Sequence, residues 1–379
     1  MTKLKLGMVG GGQGAFIGGV HRIASRIDGD WELVAGALSS NPDRAKDSAA
    51  ELGIPADRSY GSFAEMAAQE AARTDGIDAV AIVTPNHMHA PVAEAFLKAG
   101  INVICDKPLT ATLGEAEALA KIAEESRALF VLTHNYTGYP LIRHARAMVA
   151  RGDLGKIRLV HAEYVQDWLS EPIEQTGQKQ ADWRTDPARS GEGGAIGDIG
   201  THAFNLLSFV TGLEVNSLSA ELTSFVPGRR LDDDAQVRLR FEGGARGMLW
   251  ATQVAPGNEN GLRLRVYGEK AGIEWAQEHP NALRYTRLGE PAQIITRGGA
   301  GTGPEAARVT RVPPGHPEGY LEAFATIYAE AARLVRHKKD GTPLPEGLHA
   351  PTIADGLIGM KFIDACVRSS QKDAAWVTL

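Results

Sequence analysis

The stretch GMVGGGQGAFIGGVHR, Gly7 to Arg22, constrains this chain more than any other. It holds seven glycines in sixteen residues and follows the run Leu4-Lys5-Leu6-Gly7-Met8-Val9, which reads as a strand. Gly10, Gly12 and Ala15 fit the spacing G-x-G-x-x-G/A. In a chain with 43 glycines the spacing alone says little, so its context decides. A strand before it and a helical pattern after it, inside a βαβ unit, are the setting of a dinucleotide loop. There, backbone N–H groups approach a pyrophosphate and the helix N-terminus favours its negative charge. An ordinary turn is the competing reading, and structural turns rarely need so many glycines. Gln13, Gly14, Phe16 and Ile17 lie in the same stretch and are expected to line the cofactor. Phosphate binding alone does not explain Ala15–Gly19, so Phe16 and Ile17 are expected to reach over the cofactor or towards the substrate.

Strand and helix patterns alternate through the first third of the chain. Leu33–Leu38, Ile77–Val83, Ile101–Cys105 and Leu129–Thr133 are short, nearly continuous apolar runs, as strands buried on both faces require. Ala-rich helical stretches separate them at Asp43–Leu52, Phe63–Ala72, Pro91–Ala99 and Leu113–Ser126. The alternation predicts a doubly wound parallel sheet of the Rossmann type over residues 1–135. After Asn135 the character changes. A helix over Tyr139–Arg151 leads into strand-like stretches at Lys156–Gln166, Leu218–Val226, Ala235–Phe241, Ala245–Gln253, Leu262–Tyr267 and Gly272–Trp275. Tight turns between them predict a large, mainly antiparallel sheet in an α+β domain over 136–379. That domain closes with helices near Tyr320–Arg336 and Thr352–Ser370, and Gly298–Gly315 is a loop by composition.

A length of 379 residues suits two cores, and a net charge of −6 gives no reason to expect nucleic acid or an anionic membrane as partner. Two cysteines, Cys105 and Cys366, cannot build a disulfide framework or a structural zinc site. The expected compartment is the reducing cytoplasm, with no membrane segment and no metal.

Further candidates sit at predicted strand ends. The second strand ends in Ser39-Ser40-Asn41 where a strict NAD binder has an acid for the ribose, and Arg44 follows. Ser39, Ser40 and Arg44 together suit a 2′-phosphate, so both NAD and NADP are expected cofactors. The equal alternative is that Asn41 caps a helix and Arg44 is solvated. Thr84, Pro85, Asn86 and His89 form a turn at the carboxyl end of the third strand, where ligands bind in open α/β sheets. His87 and His89 have no third ligand nearby, so capping or exposure competes with any direct role. Asp106 and Lys107 end the fourth strand, with Pro108 fixing the turn. A lysine there can donate to a substrate oxygen, and nearby positive charge eases its proton loss. In the second half, Asp198 and His202 are four residues apart at the start of an apolar helix, on one face. A carboxylate that orients a histidine suits a proton relay. Taken alone, an acid at a helix start and a core histidine are the better reading; beside Lys107 and the cofactor loop the functional one becomes the stronger.

These motifs taken together resemble the Gfo/Idh/MocA oxidoreductases, over essentially the whole chain. The shared features are the Gly10–Ala15 loop, Thr84-Pro85-Asn86 with His89, Lys107-Pro108, and Gly193, Gly194, Asp198, Gly200 and His202. The resemblance implies a Rossmann domain, an open-faced antiparallel sheet that forms a dimer or tetramer, and an active site between them. It implies Lys107, Asp198 and His202 as the catalytic trio, with hydride passing from a substrate carbon to nicotinamide. Asp106 stands where glutamate is usual, and NYTGYP (Asn135–Pro140) where the family often has N-R-R-F-x-P. The missing arginines shift the expected substrate towards neutral polyols or sugars. Within the family the chain resembles the branch of scyllo-inositol dehydrogenases that also oxidise L-glucose. Asn135, Trp183 and Arg184 are expected at the cofactor. Tyr136, Asp167, Arg184 and His316 are expected at the substrate, beside the trio. For His316 either its own or a neighbouring subunit's site is open, as is plain exposure. A non-catalytic sensor of the same fold and an NAD-dependent glycosidase are the alternative functions. The presence of all three catalytic groups argues against the sensor.

Overall fold

A computed structural model describes residues 2–379. The chain forms two compact units. One comprises the residues through Asn135 together with Tyr320–Leu357, and the other Tyr136–Gly319 with Ile358–Leu379. The first boundary is the one read from the sequence. The return of Tyr320–Leu357 to the first unit differs from that reading, because a surface pattern does not say which core a helix covers.

In the first unit, β1 (Leu4–Gly10), β2 (Trp31–Ala37), β3 (Ala79–Val83), β4 (Asn102–Cys105) and β5 (Phe130–Leu132) form a parallel sheet of order β2-β1-β3-β4-β5. The expected Rossmann-like sheet is therefore present. β3 is buried along its whole length, which is why Ala-Val-Ala-Ile-Val reads as a continuous apolar run. The strand order reverses between β1 and β3, so Gly10 and Thr84 sit where open sheets bind ligands. Local signals set the helix starts. Asn41 accepts from the Arg44 N–H with Pro42 at the first helical position, and Thr112 and Glu115 form a capping box. The helix Tyr320–Asp340 packs on the helix Phe16–Ile27. Phe324 and Tyr328 join its core beside Trp31, whose indole N–H donates to the Tyr328 carbonyl at 2.9 Å.

The second unit is built on nine strands. They are β6 (Ile157–Val165), β7 (Val215–Thr223), β8 (Asp234–Phe241), β9 (Arg246–Thr252), β10 (Gly261–Gly268), β11 (Ala271–Ala276), β12 (Ala282–Arg287), β13 (Gln293–Thr296) and β14 (Val377–Thr378). Their order is β13-β12-β11-β10-β6-β9-β8-β7-β14, with all pairs antiparallel except β6–β9. Alternation of buried and exposed positions through most of β8 and β9 puts one face towards the core, where the helices Pro140–Ala150 and Thr201–Thr211 lie. Leu159, Met248 and Trp250 are exposed on the sheet. β12 to β14 lie outside the strands read from the sequence, since β13 is mostly exposed and β14 spans only two residues. The loop Gly298–Gly315 contains one short helix, Pro304–Ala307. Among the described residues, no helix is long and apolar enough to cross a membrane.

Candidate active site

In the first unit the glycine loop is shaped by close backbone approach. Gly10, Gly11 and Gly14 have φ of +79°, +73° and +74°, where side chains are strained. A Cβ on Gly12 would lie 2.7 Å from both the Leu38 carbonyl oxygen and Ser48 Oγ. The helix begins at Phe16, and its N-cap, Ala15, offers no side-chain cap. Its first N–H groups thus point to an anion site. Phe16–Gly19 are therefore the first turn of the helix and not surplus loop. Gly18 is needed there because a Cβ on it would come within 2.4 Å of Gly11 Cα. Phe16 is 69% exposed, which places its ring towards solvent; Ile17 is partly buried against the core. Arg22 braces the loop from below by donating to the Gly11 carbonyl at 2.5 Å. Gln13 N–H donates to Ser48 Oγ at 3.1 Å, and Gly14 and Gln13 are otherwise exposed.

Ser39 accepts from the Asn41 N–H, Ser40 and Arg44 are exposed, and no acid stands at the end of β2. Both features of the alternative reading are present: Asn41 caps the helix, and Arg44 is exposed, with its side chain open to a ligand at this corner. The turn after β3 is tied to the turn after β4 by His89. Its ring nitrogens lie 2.7 Å from the Pro108 carbonyl and 2.9 Å from the Thr84 carbonyl. His89 is 1% exposed, so the expectation of an exposed or capping histidine gives way to a buried brace between two site loops. Asp106 Oδ1 accepts from the Lys107 N–H at 2.9 Å and from Thr133 Oγ1 at 3.0 Å. This anchors the backbone of half-buried Lys107. Thr84 Oγ1 and Asn135 Nδ2 are buried with no hydrogen-bond partner among the described residues. An acceptor-donor and a donor left in this state, beside a glycine loop where a Cβ at Gly10, Gly11 or Gly12 would crowd its neighbours, fit a bound dinucleotide. Pro85 and Asn86 complete that turn, with Asn86 buried.

In the second unit, Asp198 and His202 arise from the segment Gly193–His202. Gly194 packs so closely on the Asp232 carbonyl that a Cβ would lie 2.0 Å away. The Asp232 carboxylate accepts from the Gly194 and Ile196 N–H groups at 2.6 and 2.8 Å, holding the helix start. Burial pushes the Asp232 carboxyl up to about 6, against the pull of those backbone donors. Ile196–Gly200 is a π-turn leading into the helix Thr201–Thr211, a feature frequent at functional sites. Asp198 Oδ2 accepts from Arg184 Nε at 3.2 Å and from Gln253 Nε2 at 3.0 Å. The Arg184 guanidinium lies 4.2 Å from the Trp183 ring centroid and also donates to Gln180 Oε1 at 2.6 Å.

His202 is 7% exposed, with the Tyr136 ring edge-on at 4.8 Å. The Tyr136 hydroxyl is bonded to the Tyr164 hydroxyl at 2.6 Å, and Tyr164 donates to Asn260 Oδ1 at 2.7 Å. Tyr136 therefore presents its ring to His202 while its hydroxyl belongs to this network. Asp167 Oδ2 accepts from the Gly257 N–H at 2.9 Å, so it ties a loop. His316 is exposed, and its carbonyl is bound by the Arg297 guanidinium. Sequence reasoning missed Gln253, Asp232, Tyr164 and Asn260. The end of β9 and the acidic run Asp232-Asp233-Asp234 were visible, but their partners lie far away in the chain.

A family model for the oxidoreductase family with NAD-binding Rossmann fold matches residues 4–134, and one for the GFO/IDH/MocA C-terminal domain matches residues 142–274. The crystal structure of an oxidoreductase from Sinorhizobium meliloti is 55% identical, with a TM-score of 0.91 and 100% of both chains covered. An inositol dehydrogenase homologue from Azotobacter vinelandii, solved with NADH and myo-inositol, is 37% identical with a TM-score of 0.94, covering 100% of this chain and 98% of that one. The levoglucosan dehydrogenase of Pseudarthrobacter phenanthrenivorans is 27% identical over 100% of this chain and 98% of its own. With its NAD-binding Rossmann domain, the chain is an oxidoreductase that belongs to the Gfo/Idh/MocA family.

Proposed function

We propose that this protein is an NAD(P)-dependent dehydrogenase that oxidises a secondary or anomeric hydroxyl of a neutral cyclic polyol or sugar. The observation that carries this reading is the company kept by Asp198. Its carboxylate is already paired with Arg184, and the groups around His202 are neutral hydroxyls, amides and aromatic rings. Such a surface matches a ring with many hydroxyls and offers an anionic substrate little. The relatives solved with myo-inositol and levoglucosan support the same class.

A bound nicotinamide would supply the hydride acceptor, held by the Gly10–Ala15 loop, the Thr84–Asn86 turn and Asn135. His202 accepts the proton of the substrate hydroxyl. Asp198 orients it and favours its protonated state during transfer. Lys107 donates to a substrate oxygen and stabilises developing negative charge there. The end of β2 lacks the acid that rejects a 2′-phosphate, so both NAD and NADP are accepted. The sheet face bearing Leu159, Met248 and Trp250 is the surface for self-association, and a monomer by light scattering at working concentration would overturn that part.

The test is a spectrophotometric screen of inositols, aldoses and anhydrosugars, each with NAD and with NADP. Reduced cofactor accumulating with one or more free polyols is the expected result. Sugar release with no net reduced cofactor would replace the dehydrogenase with a hydrolase, and no turnover of any kind would overturn the enzyme reading.

A further inference from the structure

Asp198 receives two donors on one oxygen, and they are of different kinds. Arg184 comes from a six-residue helix, Lys179–Arg184, and shares its guanidinium with Gln180. Gln253, just after β9, is 2% exposed, and its backbone is tied on both sides. Its N–H donates to the Asp233 carbonyl at 2.9 Å, and its carbonyl accepts from the Leu169 N–H at 3.0 Å. Gln253 thus has little freedom to move its side chain with the substrate, whereas Arg184 is half-buried near the surface.

We propose that Gln253 is a positioning residue: its amide holds Oδ2 of Asp198 so that the carboxylate stays ionised and fixed in one orientation beside the base. The role rests on the reading that Asp198 and His202 act on substrate. A neutral donor suits the task. It favours the charged form of Asp198 through a hydrogen bond without adding a second positive charge beside a histidine that must take up a proton. Few other groups compete for this task. On the surrounding elements the titratable groups are Arg184, His202, Tyr164 on β6, and Asp232 and Asp233 before β8. Asp232 is engaged with the Gly194 and Ile196 N–H groups, and Asp233 with Arg229 and the Phe225 and Val226 N–H groups. Tyr164 is engaged with Tyr136 and Asn260.

Two variants of the full chain test this, each compared with the parent as a ratio of kcat/KM from pH 5.5 to 9. Gln253→Leu removes the donor, and a hydrogen bond to a charged group is worth about tenfold or more in rate. Asp198 then protonates more readily, so the ratio is lowest at acid pH and recovers as pH rises. Gln253→Glu keeps the shape but sets two carboxyls together. They share one proton at acid pH and repel once both ionise, so this ratio falls as pH rises. Opposite slopes are the expected result. Cofactor affinity, read by NADH fluorescence, is expected to stay within about threefold of the parent in both variants. Two flat ratios would reduce Gln253 to a packing residue and overturn the proposal, whatever the size of the loss. If one variant fails to fold by near-UV circular dichroism, the slope of the other still decides. Full turnover by Asp198→Asn would instead overturn the underlying reading of the site, which separates the two failures.

Discussion

Lys107 and His202 come from different motifs, and each does a separate part of the proposed chemistry. Lys107→Ala and His202→Ala should each lower kcat by about 100-fold or more, as loss of a proton-transfer group does. Cofactor affinity should change little, since neither side chain belongs to the glycine cradle. Steady-state kinetics with NADH titration checks both, and unchanged turnover in the two variants would sink the assignment. His21 shows a residue doing structural work beside the site. It is fully buried, with Nδ1 2.8 Å from the Tyr328 hydroxyl, against the Phe324 ring. Burial lowers its pKa to about 4, with nearby Asp106 pulling the other way. The unfolded chain binds this proton near pH 6.5 and the folded chain does not until about 4. Stability is therefore fully present above 6.5 and is lost as pH falls through that window, by up to on the order of 3 kcal/mol. Melting temperatures of the parent and His21→Phe between pH 7.5 and 4.5 test this. The variant should lose less on acidification, and parallel curves would contradict the account.

The helix Phe16–Ile27 owes its position to glycine. Gly18 allows it to press on Gly11. Gly19 faces open space instead: a Cβ there would meet nothing closer than Arg22 Nη2, 3.9 Å away. Gly18→Ala should destabilise by about 1–3 kcal/mol through overpacking and weaken NADH binding by moving the phosphate loop. Gly19→Ala should be neutral or stabilise by roughly 0.5–1 kcal/mol, because alanine is the better helix former. Thermal melts with cofactor titration distinguish the two, and equal effects would remove the argument from close approach. The helix start at Gly193–Ile196 follows the same logic. Its glycines admit the Asp232 backbone, and Asp198 lies within the π-turn that leads into the helix of His202. Composition announced a glycine-rich helix start; the winding of the next turn depended on Asp232, some 36 residues further on.

The chain does not build its two units in sequence. Tyr320–Leu357 returns to the first unit, where Tyr328 receives the Trp31 indole N–H and the hydrogen bond of His21. A fragment ending at Asn135 lacks this cover and should melt broadly, with weak near-UV dichroism; adding residues 320–357 as a peptide should restore part of the signal. A cooperative melt of the shorter fragment at the temperature of the full chain would show the cover to be dispensable. The strands of the parallel sheet, the glycine loop and the Asn41 cap were readable in the residues, and the residues also named Lys107, Asp198 and His202 as candidates. Each rests on local spacing, on burial of an apolar run, or on a motif confined to ten residues or so. The partners of Asp198, the brace made by His89, the hydroxyl network of Tyr136 and the unit to which the helix Tyr320–Asp340 belongs were settled only by tertiary structure. In every case the deciding contact joins residues distant in the chain or depends on how a buried polar group finds its partner. No local pattern carries that information.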